Sequence, residues 1–538
     1  MDQNPSHPKS RPVVGARPAP APSGSVIGES SLEDAPSPES EGTAEPARKR
    51  FKTRHLSMMA LGSAIGAGFF LGTGVAVSEA GPAVLVSYVL AALIAIAVMY
   101  ALAELAAALP STGSFSTYAE AGIGRWAGFT VGWMYWFTLV MVLGMEITGA
   151  AGIFVGWFPG VPQWSVALVV VVVLGGVNLL AAGSFGEVEA WLAGVKVFTI
   201  IAFLVIGVGL VTGIIPGRTD SVAHTILGHG GWAPNGLSGI AVGLLAIITS
   251  FGGIEIVTIA AAESEDPQRA MGKAIRSVIW RILVFYVGSV ALMICLLPWN
   301  SDQMRTSPFA SVLDLAGIPA VGLIMEAVVF IALVSAFSAN IYASSRMAYS
   351  LSARGMGLRW LLGDTREVAR HIPDDEDTQP PSSESQDEEV RSVVEHEGAT
   401  GDLSHGRTPR RAVMVSVALA LVSVGLNWWL PETLLGILLN AIGMSLLVVW
   451  LFVVVSQMRL HKTLAAGRDL PIRMPWWPWS GRLVIVALAL IGLLMAWSPS
   501  GRPQLIGVAV LTLVLVGIYL LRQQIALRHA GRAPSSES

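Results

Sequence analysis

Gly62-Ser63-Ala64-Ile65-Gly66-Ala67-Gly68 lies at the centre of an apolar run over 56–77, and Ser250-Phe251-Gly252-Gly253-Ile254-Glu255 lies at the centre of another over 240–262. Hydrocarbon offers no partner for a backbone N–H or C=O, so a helix crossing a membrane must satisfy its own hydrogen bonds. A break at membrane depth survives only where it lines a cavity. Glycine breaks in two corresponding spans are the sequence mark of a carrier's substrate site. Glycine also serves close helix packing in membranes, and Gly62–Gly66 taken alone reads that way. The matched pair points instead to a carrier of small charged molecules.

Composition agrees with a membrane protein. The 538 residues are 53% hydrophobic and 13% charged, against roughly 25% charged in an average soluble domain. A net charge of −3 speaks against nucleic acid as a partner. The single cysteine, Cys295, excludes an internal disulfide and a cysteine-based zinc site. The sequence gives no sign of a metal or cofactor. No cleavable signal is read, because the first apolar run begins only near Leu56. The first span is therefore expected to act as the insertion signal.

Twelve apolar runs reach the length, about 17–25 residues, that a bilayer core requires. They lie near 56–77, 82–107, 126–157, 163–182, 190–213, 238–262, 277–298, 318–350, 412–430, 433–457, 483–498 and 504–521. With a cytoplasmic N-terminus, the outward loops hold only Arg218, Arg305 and Arg502 of the 34 lysines and arginines. That asymmetry places both termini in the cytoplasm, for a multi-pass protein of the inner or plasma membrane. Spans 1 and 6 then run in opposite directions. Spans 1–5 (about 55–213) and 6–10 (about 236–457) form two inverted repeats, with the breaks facing each other near the midplane. Spans 11 and 12, about 483–521, fall outside the repeat.

Outside this 55–523 domain, residues 1–47 are rich in Pro, Ser, Ala and Glu and read as a disordered cytoplasmic tail. Residues 524–538 form a second cytoplasmic tail. Residues 364–408, between spans 8 and 9, hold 13 of the 37 acidic residues and read as a solvated cytoplasmic insert without ligand spacing.

Charges inside the apolar runs are costly, and by default they mark function. Glu255 follows the second break and can take an ammonium or hold the unwound backbone. Glu146, in span 3, can bind an ammonium, exchange a proton, or order the bundle through an ion pair. Lys196 stands six residues into span 5, about 9 Å along the helix. It can lose and regain a proton, or its stem can snorkel to the membrane edge. Glu326 and Asn340 sit in span 8, the latter a candidate interhelical hydrogen bonder. Amides at the half-helix N-termini are unpaired and positive, so a carboxylate fits the backbone of Ser63, Ala64, Ile65, Gly66, Ala67 and Gly68. The segment after Phe251, with Gly252 and Gly253, offers a second such place. Phe251 reads as an aromatic lid, or as ordinary helix packing. A site with a positive end and carboxylates describes a zwitterion, and amino acids are the obvious cargo.

Several stretches carry a family resemblance: His55-Leu56-Ser57-Met58, Glu79-Ala80-Gly81-Pro82, Pro110-Ser111-Thr112-Gly113-Ser114-Phe115, Gly132-Trp133-Met134-Tyr135-Trp136, Phe185-Gly186-Glu187 and Ala343-Ser344-Ser345-Arg346-Met347. The chain resembles the amino acid permeases of the amino acid–polyamine–organocation superfamily over about 55–523, the acidic insert excepted. Within that family, Ile123-Gly124-Arg125-Trp126, Ile256-Val257-Thr258-Ile259 and Pro298-Trp299-Asn300 are most similar to bacterial γ-aminobutyrate permeases. The resemblance implies a leucine-transporter-like inverted-repeat fold and proton-coupled uptake. It also implies that Lys196 occupies the place of a coupling ion in sodium-driven relatives. Ala67 departs from the family pattern, where threonine or serine is common.

The sequence expectation is thus an all-α integral membrane protein of twelve helices, with a 5+5 core and discontinuous helices 1 and 6. It would act as a proton symporter of a small zwitterionic amino acid in the lipid bilayer, with γ-aminobutyrate leading. A proline or broad neutral amino acid carrier or exchanger is the alternative. A membrane receptor that binds an amino acid is the different class. No nucleophile–base constellation lies inside the membrane, which argues against an enzyme.

Overall fold

A computed structural model describes residues 66–108, 114–180, 185–218, 220–253, 267–362, 410–465, 472–499 and 501–530. They form helices without strands: α1 (Ala67–Phe70), α2 (Gly72–Ala80), α3 (Val84–Ala108), α4 (Ser114–Ile123), α5 (Arg125–Trp157), α6 (Gln163–Leu180), α7 (Phe185–Thr212), α8 (Val222–Leu227) and α9 (Gly236–Ser250). The second half continues with α10 (Pro267–Arg281), α11 (Gly288–Leu296), α12 (Asp302–Thr306), α13 (Pro308–Asp314), α14 (Val321–Ala353), α15 (Arg410–Trp429), α16 (Leu434–Ala465), α17 (Trp479–Trp497) and α18 (Arg502–Ala530). A π-helical turn, Ile282–Val287, joins α10 to α11.

Among the described residues, nine helical stretches are long and apolar enough to cross a membrane. One of them, Ala67–Ala108, contains a turn where Gly81 takes a φ of 64°, a conformation that favours glycine. Two shorter apolar helices, Gln163–Leu179 and Gly236–Ser250, accompany them.

The distribution of polarity is that of a multi-pass membrane protein. Apolar side chains face outward, as with Phe198 (73% exposed) and Val205 on α7 and Val169 and Val172 on α6. Exposed tryptophans mark helix ends: Trp428 and Trp429 close α15, and Trp479 and Trp497 bracket α17. Such rings belong at the membrane–water boundary. The polar groups lie inside instead, with Thr73, Glu104, Glu146 and Lys196 all buried.

The helices sort into an inner group and a periphery. Helix α5 packs on α14, α9 on α2, and α16 on α4, α5 and α9. The apolar windows of α16 and α5 are 67% and 61% buried, whereas those of α17 and α18 are 28% and 11% buried. The last two helices thus lie at the margin of the bundle.

Two polar knots tie the helix ends on the side where α5 starts and α14 stops. Arg354 donates to Ser116 Oγ at 2.7 Å and pairs with Glu120 at 3.4 Å, joining the end of α14 to α4. In the other knot, Glu104 of α3 is fully buried and contacts His461 Nδ1 of α16. It also accepts from Gln457 Nε2 at 2.9 Å and from the Met474 amide at 2.7 Å. Leaving the buried donors of such a knot without their acceptor costs about 1–3 kcal/mol each. Glu104→Ala is therefore expected to lower the aggregation temperature of the detergent-solubilised protein markedly. Glu104→Gln should do less harm, because its amide oxygen still accepts from the Met474 N–H. Equal thermal stability of Glu104→Ala and the wild type would show that this knot holds nothing.

Candidate functional site

The structure describes one edge of each glycine-rich stretch, residues 66–68 of the first and 250–253 of the second. On the first, Gly66 is extended (φ −122°, ψ −159°) and α1 begins at Ala67. The first amides of a helix lack intrahelical partners, and here they open beside a cavity. On the second, α9 stops at Ser250, Phe251 leaves the helix at φ −93° and ψ −3°, and Gly253 takes a φ of 94°. The carbonyl end of α9 therefore meets the amide end of α1, a negative pole beside a positive one.

Backbone contact holds the two ends together. Ser250 Oγ donates to the Gly68 carbonyl, and a Cβ on Gly68 would lie 2.8 Å from both Ser250 Cα and the Thr249 oxygen. Only glycine permits that approach. Tyr286, on the π-helical turn, donates from its hydroxyl to the Ser250 carbonyl at 3.1 Å. Thr249 Oγ1 donates to the Leu439 carbonyl at 2.8 Å, binding α9 to α16. A π turn commonly marks a functional position in a helix, and here it delivers Tyr286 to the broken end.

A cavity of ≈ 110 Å³ lies against this junction. Gly66, Ala67, Gly68, Ser250, Gly252 and Gly253 line one side of it. Glu146 of α5 and Asn340 of α14 also line it, with Asn340 Nδ2 donating to Glu146 Oε1 at 2.9 Å. Glu146 is only 2% exposed. Most of the remaining wall is apolar, with Leu139, Val142 and Met145 from α5, Ala336, Ala339 and Ala343 from α14, and Ile442 and Leu446 from α16, and Tyr135, Thr138 and Thr249 add hydroxyl groups to it. The lining follows α5 from Glu146 back to Tyr135, about 16 Å at 1.5 Å per residue.

Aromatic rings close the opposite direction. Phe69 and Phe70 have centroids 5.2 Å apart and pack on Phe309 at 5.0 and 5.2 Å. Phe69 also contacts Tyr286 at 4.5 Å. The chamber thus has polar poles, a mostly apolar wall, and a plug of rings on the side where α5 ends.

Residues 55–367 and 399–529 match the amino acid permease family. The chain belongs to that family. This permease is 45% identical over 489 residues to the aromatic amino acid transport protein AroP of Corynebacterium glutamicum, covering 90% of this chain and 97% of the relative. It is 36% identical to the γ-aminobutyric acid permease of Bacillus subtilis, covering 91% and 97%. It is also 32% identical to the L-asparagine permease of Escherichia coli, covering 90% of each. The family and these relatives are transporters, not enzymes. The interval between the two matched stretches, 368–398, falls inside the acidic stretch that the sequence sets apart.

The residues expected in this permease's site do not all gather in the cavity. Gly66, Ala67, Gly68, Glu146, Gly252 and Gly253 line it. Phe251 does not; it is 1% exposed, and its ring packs against Tyr286 at 5.4 Å and Tyr88 at 6.5 Å. That geometry is the packing alternative for Phe251 rather than the lid. Lys196 is buried at 1% exposure on α7 and lies outside the cavity wall. Ser63, Ala64, Ile65 and Glu255 lie outside the described residues. Sequence reasoning left out the α14 alanines, whose small side chains give no signal except their spacing of three and four. It also left out Thr249, directly before the second break, and Thr138 and Tyr135 of α5.

Proposed function

We propose that this permease imports an amino acid with a bulky apolar side chain, aromatic above all, in symport with a proton. The observation that carries the reading is the cavity itself. It joins helix-end backbone and the Glu146–Asn340 pair to a wall of alanines and branched aliphatics, with room beyond what an α-amino acid's charged groups occupy. The amide end of α1 suits the carboxylate, and Glu146 suits the ammonium. Ala336, Ala339 and Ala343 leave space for a ring. The identity to AroP favours the same class. A second reading is γ-aminobutyrate, favoured by the motif stretches and by relatives of that name; its separated charges also suit two poles.

In this reading the chain crosses the plasma membrane twelve times, with two inverted five-helix repeats and both termini in the cytoplasm. The distribution of arginine and lysine supports that orientation. The α5 start then faces the cytoplasm, and the cavity belongs to an inward-facing state closed outside by Phe69, Phe70 and Phe309. Alternating access rocks the broken helices and their neighbours around the site. Lys196, buried in α7, carries the coupling proton. The membrane potential adds about 2.3 kcal/mol per charge per 100 mV.

The test is uptake into proteoliposomes under an imposed inward proton gradient, using labelled phenylalanine and labelled γ-aminobutyrate with mutual competition. Phenylalanine should accumulate, lose accumulation with a protonophore, and resist γ-aminobutyrate as competitor. Accumulation of γ-aminobutyrate that phenylalanine fails to inhibit would replace the first reading with the second. Lys196→Met is expected to keep counterflow exchange and lose proton-driven accumulation. Wild-type accumulation by that variant would remove Lys196 from the coupling role.

A further inference from the structure

A second recess opens at the other end of the bundle, where α5 stops. Phe70, Ser307, Phe309 and Glu326 are among its walls, and its volume is ≈ 20 Å³ against ≈ 110 Å³ for the central cavity. Phe69 lines the cavity and Phe70 lines the recess, and both rings rest on Phe309. One aromatic layer therefore separates the two spaces.

Glu326 is the recess's chemical feature. It stands on α14, half-buried, and Trp157 Nε1 donates to its Oε2 at 2.7 Å. Among the described residues no lysine, arginine or histidine pairs with it. Aromatic rings gather beside it: Phe330 lies 5.6 Å from Trp157, and Phe154 lies 6.3 Å from both. The recess itself carries the Phe70 and Phe309 rings together with this carboxylate, so it is a poor place for an anion and a good one for a cation, which ring faces attract as well. The recess is small beside the cavity, with room for an ammonium group rather than for a whole amino acid.

We propose that this recess is an outer docking site for the ammonium group of the arriving amino acid, occupied before the Phe69–Phe70–Phe309 layer opens. The inference rests on the import direction and orientation given above. A carboxylate outside the layer concentrates the cationic end of a zwitterion at the entrance and turns it toward Glu146. Simple structural duty is the competing explanation, since the Trp157 bond ties α5 to α14. Glu326→Gln separates the two, because its amide oxygen still accepts from Trp157 while the charge is gone.

The experiment has two arms. Initial uptake is measured with labelled phenylalanine, or with γ-aminobutyrate if that is what the wild type accumulates. For Glu326→Gln, the KM for uptake from outside should rise several-fold with kcat retained and the KM for efflux unchanged. Carboxylate-free 2-phenylethylammonium added outside should inhibit the wild type and lose most of its effect on the variant. In the second arm, Glu326→Cys in a Cys295→Ser background is treated with a membrane-impermeant thiol reagent on whole cells. Reaction from outside is expected. Reaction only in inverted vesicles would overturn the orientation and this site with it. Reaction from outside with unchanged uptake KM in Glu326→Gln would overturn the docking site alone and leave the transport reading intact.

Discussion

Gly68→Val is expected to abolish uptake, and Gly68→Ala to lower it on the order of 100-fold, the loss typical of shifting a positioned site by about 1 Å. The reason lies in what a side chain there would meet. Its Cβ would stand 2.8 Å from Ser250 Cα, 2.8 Å from the Thr249 carbonyl oxygen and 2.9 Å from the Ser250 nitrogen. All three are backbone atoms, and none can rotate aside. Helices α1 and α9 would have to separate, and the Ser250–Gly68 hydrogen bond would break with them. Overpacking of this kind costs about 1–3 kcal/mol in a core, which a protein of this size can survive. The larger loss is functional, because the poles offered by the two helix ends move apart.

Gly66 supplies the control. It lines the same cavity two residues earlier, and a Cβ there meets nothing within 4 Å. Gly66→Ala should therefore fold as the wild type does and act only by placing a methyl group in the chamber. Its KM is expected to change with little effect on surface expression. Uptake by proteoliposomes, normalised to the reconstituted protein, compares the two variants directly. Near-normal uptake by Gly68→Ala would mean that the close crossing of α1 and α9 is not what holds the site.

The contrast between these glycines marks how far the sequence could be read. Both lie in one glycine-rich stretch that hydropathy and composition identify as a break. Nothing local distinguishes the glycine that faces open space from the one pressed on another helix's backbone. That difference depends on Ser250, 182 residues away. Glu146 was legible for a simple reason, as a carboxylate within an apolar run. Its partner Asn340, 194 residues on, was legible only as a generic hydrogen bonder. Glu104 went unnoticed because it stands near the end of its run, where a charge is expected to reach water. The contacts from His461, Gln457 and Met474 that bury it come from more than 350 positions later. For Phe251 the sequence left a lid and ordinary packing both open, and its ring packs against Tyr88 and Tyr286. The π turn that brings Tyr286 there has no signature in an unbroken apolar run.

Glu146→Gln gives the second large effect. The Glu146 side chain is 2% exposed, lines the cavity and accepts from Asn340 Nδ2 at 2.9 Å. Glutamine keeps an oxygen for that donor and nearly the same volume, so α5 and α14 should stay packed as they are. What disappears is the negative charge in the cavity that the amide end of α1 also lines. If that charge meets the substrate ammonium, losing it costs about 2–5 kcal/mol of binding, or roughly 30-fold to several-thousand-fold in affinity. Asn340→Ala, which removes the positioning bond and keeps the charge, should cost far less and appear mainly in KM. Equilibrium binding of labelled phenylalanine to the solubilised protein measures the first effect without any gradient. A melting curve on the same sample shows whether the fold is intact. A Glu146→Gln protein that melts normally and has lost binding fixes the carboxylate as the ammonium's partner. One that binds as the wild type does, yet fails to accumulate substrate, would move Glu146 from recognition to proton coupling. The ammonium would then have to be held by the carbonyls that end α9, where Ser250 and Thr249 already face the cavity.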